Sequence, residues 1–107
     1  MAKRVKISDA LQEQTRQRIL AHAAKIVPAK ASQLRVWFRG PFCYIDAEKP
    51  GSPEPLHLCR LRYTGMNTWT LDFYTYSHEK YERALFMTGD FFGTPEEALD
   101  VGAVYLA

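Results

Sequence analysis

At 107 residues, with 47% hydrophobic residues and fourteen aromatics, the chain is sized for one domain that buries its own core without metal or disulfide staples. No apolar run approaches the roughly 20 residues of a membrane span, and the basic start MAKRVKISDA lacks the apolar stretch of a signal peptide, so a cytoplasmic location with no membrane partner is expected. The net charge of +2 hides an asymmetry: residues 1–39 hold nine Lys and Arg against two acids, for +7, and residues 40–107 hold five against ten, for −5.

From Asp9 to Val27, residues Leu11, Thr15, Ile19, Ala23 and Ile26 fall on one side of a 3.6-residue period, which predicts an amphipathic helix. Ser8 or Asp9 caps its start, and Pro28 disfavours helical geometry at Val27. Arg4, Lys6, Arg16, Arg18 and Lys25 make this end basic. Such charges meet DNA phosphates, an acidic protein or the acidic part of a second copy, or else are simply solvated.

After a linker at Pro28–Gln33 the period changes to two. Leu34, Val36 and Phe38 alternate with Arg35, Trp37 and Arg39, as in a half-buried strand. Gly40-Pro41 suits the two-residue turn of a hairpin, glycine supplying positive φ, and a second strand runs from Phe42 to Ala47. Counting outward sets Phe38 opposite Cys43 and Val36 opposite Ile45 on one face, with Trp37 opposite Tyr44 and Arg35 opposite Asp46 on the other.

Glu48–Pro55 holds three prolines and a glycine and reads as a surface loop. A second hairpin follows, Leu56–Tyr76, turning at Gly65–Asn67. Its register sets Tyr63 opposite Trp69, Leu61 opposite Leu71 and Cys59 opposite Phe73, while Arg60 meets Asp72 and Arg62 meets Thr70. Ser77–Asp90 fits a helical turn or a strand; the reading taken is a turn and then a short edge strand at Arg83–Met87. The chain closes with a helix that Thr94 caps, Pro95 begins and Glu97 completes as a capping box, continuing through Ala98, Leu99, Val101 and Tyr105 or Leu106. Gly102 there is a weak point for the helix that suits close packing.

These elements predict an α+β domain spanning 1–107: an N-terminal helix, an antiparallel sheet of four to five strands and a C-terminal helix. One sheet face is core. The other carries Arg35, Trp37, Arg39, Phe42, Tyr44, Asp46, Leu58, Arg60, Arg62, Thr70, Asp72 and Tyr74. Arginine interleaved with aromatics is the composition that reads nucleic acid, guanidinium groups meeting phosphates or base edges and rings offering flat contact. It is equally that of protein interfaces.

The segment Gly89-Asp90-Phe91-Phe92-Gly93-Thr94-Pro95-Glu96-Glu97-Ala98 adds to this, since after an arginine- and tryptophan-rich set of strands it resembles the end of the plant ethylene-response-factor DNA-binding domain. It is also similar to the arm-binding domains of tyrosine recombinases. The resemblance implies a three-stranded sheet in the DNA major groove with a helix packed behind it. The chain departs from both families in its Ser77–Thr88 insertion, an additional strand and an N-terminal helix.

Enzyme chemistry finds little to use. His57, Cys43 and Cys59 share a predicted strand face and could meet at a metal, but tetrahedral zinc needs a fourth ligand that the spacing does not supply. Glu96 and Glu97 sit where carboxylates favour a helix start, and Gly89 and Gly93 are not followed by the lysine of a phosphate loop. The expectation is a small non-enzymatic binding module without metal or cofactor. Arg35, Trp37, Arg39, Tyr44, Arg60 and Arg62 form its nucleic-acid or partner surface. The alternative is a protein-interaction or homodimerisation module using the same face, its partner an acidic protein or a second copy.

Overall fold

Helix α1 (Asp9–Ile26) begins where the Ser8 hydroxyl accepts the Leu11 N–H at 3.2 Å and ends one residue short of the expected Val27. Its stripe is as expected over Thr15, Ile19 and Ala23, which are buried, whereas Ile26 is exposed. The computed structural model describes residues 6–106. Six antiparallel strands follow α1: β1 (Leu34–Arg39), β2 (Phe42–Ala47), β3 (Leu56–Gly65), β4 (Thr68–Thr75), β5 (Lys80–Ala84) and β6 (Phe92–Gly93). Helix α2 (Pro95–Gly102) comes last, with the predicted capping box formed in both directions between Thr94 and Glu97.

The sheet is a meander in the order β1 to β5, so β1 is an edge. At the other side β4 is shared, β5 pairing with residues 71–75 and β6 with Trp69 and Thr70. Both hairpin registers agree with those counted from the sequence. Gly40 has φ +58°, as its turn demands, and the second hairpin turns on Met66 and Asn67, both at positive φ, after a bulge at Thr64. The edge strand is at Lys80–Ala84, not Arg83–Met87, because Asp72 pairs with Arg83 and Tyr74 with Tyr81.

Both helices cover one face. Ile19 and Ala23 of α1 and Ala98 and Leu99 of α2 pack in one cluster with Cys43, Ile45, Leu61 and Leu71. Burying each of the larger aliphatic side chains stabilises the fold by about 1.5–3 kcal/mol.

The register breaks between Ile45 and Asp46, where β3 carries an extra residue: Ile45 pairs with Cys59 but Asp46 pairs with His57. Leu58 is that residue, and the sequence-based placement on the uncovered face is wrong for it. It is fully buried beneath α2, where a Cβ on Gly102 would lie 3.5 Å from the Leu58 Cβ and 3.0 Å from the Cys59 Sγ. The close packing expected at Gly102 is therefore against the bulge.

Candidate binding surface

Past the bulge, the uncovered face resolves into three rows running across the strands. The first is Arg39, Phe42, Arg62 and Thr70; the second is Trp37, Tyr44, Arg60, Asp72 and Arg83. The third holds Arg35, Asp46 and His57, with Tyr74 and Tyr81 beyond them. Period-two alternation within each hairpin, together with the pairing of β2 with β3, brings all six predicted site residues to this one face.

The middle row is tightly organised. Trp37 and Tyr44 stack with ring centroids 3.9 Å apart and planes 8° from parallel. The Arg60 guanidinium lies 4.3 Å from the Phe42 ring centre and 4.7 Å from that of Tyr81. It also donates to Asp72, Nε at 2.9 Å and Nη2 at 2.7 Å, and Arg83 approaches the other oxygen of Asp72 at 3.4 Å. Burial opposes the Arg60 charge, but hydrogen bonds to Asp72 and Tyr44 outweigh it and raise its pKa. Arg60 is thus tied to Asp72, as the register predicted, and holds rings in place.

Although Asp46 stands opposite Arg35 in the ladder, the two side chains form no ion pair. The buried Asp46 carboxylate accepts the Trp37 indole N–H at 2.8 Å and lies 3.1 Å from His57 Nδ1, while Arg35 reaches the exposed Glu48 instead. His57 belongs here because the bulge reverses its side; it therefore cannot join Cys43 and Cys59 at a metal. It packs 4.8 Å from Tyr74, and its backbone N–H donates to the Tyr76 hydroxyl at 2.7 Å. Both cysteines lie on the covered face. Burial pushes the Cys59 thiol up to about 12, with Asp46 and Asp72 adding to it, and burial raises Cys43 likewise, which disfavours the thiolate at both.

Arg39 and Arg62 make no ion pair among the described residues; Arg62 stands 6.0 Å from the Phe42 ring centre. They flank Phe42 across two strand spacings, about 9–10 Å apart. Sequence reasoning missed His57, Tyr81 and Arg83. Tyr81 and Arg83 were within reach, since carrying the Asp72 and Tyr74 rows one strand further finds them. Burial, aided by Asp46, holds the Tyr81 phenol well above its usual range, so it stays protonated at physiological pH.

The charges of α1 are largely engaged within the chain. Arg18 makes a bidentate pair with Glu96 of α2, at 2.8 and 2.6 Å, and His22 lies 2.6 Å from Asp100. Arg16 contacts Glu13 and the Val36 carbonyl, Lys6 and Lys25 are exposed, and Arg4 lies outside the described residues. The hydrogen bond from Arg18 lowers the Glu96 pKa, so this pair contributes stability above the unfolded carboxylate value of about 4.3 and loses it as pH falls through the lower folded value. Arg18→Ala is therefore expected to lower stability in urea at pH 7, by no more than about 1 kcal/mol for so solvated a pair, with the difference from wild type narrowing as pH falls below the unfolded carboxylate value.

No family model, curated protein or solved structure matches this chain. Among the described residues no helix is long and apolar enough to cross a membrane.

Proposed function

We propose that the uncovered sheet face binds nucleic acid, Arg39 and Arg62 contacting phosphates beside Phe42 while Trp37 and Tyr44 offer a flat apolar contact. The observation that supports this most is the face's composition in place. Arg35, Arg39, Arg60, Arg62 and Arg83 lie there against Asp46, Asp72 and the Glu48 that Arg35 reaches, among rings and with both helices on the opposite side. An arginine excess of two on a ring-bearing surface suits a polyanion. Within it the roles divide: Arg60 is engaged by Asp72 and fixes Phe42 and Tyr81, whereas Arg39 and Arg62 are the cations available to a ligand.

Salt titration of binding to duplex and single-stranded DNA tests this. Arg39→Ala with Arg62→Ala is expected to weaken binding roughly tenfold at low salt and to flatten the slope of log K against log salt by about 1.4 to 1.8. No binding at low salt ends the proposal. Binding with an unchanged slope in the double variant places the contact elsewhere.

A further inference from the structure

The free edge of β1 has a pattern of its own. Residues 33, 35, 37 and 39 turn their backbone groups toward β2, as the Glu48 N–H to Gln33 carbonyl bond illustrates, so those of Leu34, Val36 and Phe38 point outward. The Leu34 N–H is already donated to Ala31. What remains along the edge is the N–H of Val36 and Phe38 and the carbonyls of Leu34, Val36 and Phe38. Only the Val36 carbonyl is contacted among the described residues, by Arg16 Nε at a long 3.4 Å.

We infer that β1 pairs antiparallel with β1 of a second copy about a two-fold axis through Val36. In that register Val36 meets its own counterpart and Leu34 meets Phe38 of the second copy, apolar against apolar. On the uncovered face Arg35 meets Trp37, a cation against an indole. Each free N–H then has an acceptor: Val36 donates to Val36 and Phe38 to Leu34, four bonds across the junction. Moving the axis to Trp37 would set Arg35 against Arg39 twice, and like charges opposite one another disfavour it. The groove beside this edge is lined by Leu20, Val36 and Trp37 together with Arg16, Arg35 and Asp46; Leu20, 37% exposed, adds apolar surface there, since the axis brings both α1 helices to the same side of the sheet.

Arg16 is the gate. It covers the Val36 carbonyl and stands 5.3 Å from the Phe38 ring centre, a charged side chain over an edge strand, and it must turn away before pairing. The junction joins the β1–β5 meanders of two copies into one continuous sheet with both uncovered faces on one side. It uses the strand edge and does not rest on the nucleic-acid reading.

Sedimentation over a concentration range, with residue-resolved amide exchange, tests the pairing. The wild-type chain is expected to dimerise with concentration-dependent protection of the Val36 and Phe38 amides. Arg16→Ala should tighten the dimer roughly tenfold or more by removing one competing bond from each copy. Val36→Pro should abolish it while keeping the thermal transition, because the lost N–H points away from β2. Should that variant unfold, Arg16→Ala and the exchange pattern decide. A chain that stays monomeric in both wild type and Arg16→Ala overturns the inference, as does a dimer that gains no protection at Val36 and Phe38 or survives in folded Val36→Pro.

Discussion

Leu58→Lys is expected to leave no cooperative folding transition. Leu58, the extra residue of the bulge in β3, is fully buried against Gly102 of α2. An ammonium there lacks water and sits against a backbone too close to make room for it. Burying an unpaired charge costs several kcal/mol, comparable to the roughly 5–15 kcal/mol by which a domain is stable. Leu58→Ala should fold and lose about 2–5 kcal/mol, the range for truncating a buried leucine. Arg62→Ala, two registers away on the exposed side, should stay within about 0.5 kcal/mol. Urea denaturation of the three variants measures this. If Leu58→Lys melts like wild type, Leu58 faces solvent and the bulge is misplaced.

Gly93→Ala should lose about 1–3 kcal/mol despite adding a single methyl group. Its Cβ would stand 2.8–2.9 Å from three carbons of the Phe86 ring, closer than carbon atoms approach. Phe86 is itself buried, and the loop that places it is held by the Phe86 N–H to Asp90 carbonyl bond and the Gly89 N–H to Phe86 carbonyl bond. The ring therefore cannot step aside without disturbing β6, which pairs Gly93 with Trp69. The collision makes a second prediction: in Gly93→Ala with Phe86→Leu the two losses should sum to less than their separate values, since the smaller side chain gives the methyl room. Simple additivity in thermal or urea unfolding would mean that Phe86 does not limit the site.

In the resemblance of residues 89–98 it is Thr94 as cap and Glu97 that carry the helix start, whereas Phe92-Gly93 departs from it; α2 does pack behind the sheet. The sheet it backs has three further strands beyond the three that the resemblance implies, because Lys80–Ala84 and Phe92–Gly93 complete one side and β1 extends the other.

Local chemistry was legible from the chain alone wherever neighbours in sequence are neighbours in space. Ser8 and Thr94 as caps, the turn at Gly40-Pro41 and the registers of both hairpins follow from side-chain hydrogen bonding, glycine geometry and alternation, none of which needs a distant residue. For the same reason Arg35, Trp37, Arg39 and Tyr44 share one face of the first hairpin and Arg60 and Arg62 one face of the second, the two sets being joined by the pairing of β2 with β3. The pairing of β2 with β3 was different, since the proline-rich loop between them sets no register. There the tertiary structure decided. The apolar phase in β3 moves from Leu56 and Leu58 to Cys59 and Leu61, and two adjacent apolar residues at that change are the mark of a bulge. Alternation alone put Leu58 outside and His57 inside. Packing against α2 draws Leu58 into the core together with Cys59, which turns His57 over to Asp46 and leaves Arg35 to Glu48. The burial of one leucine outweighs the regularity of the ladder.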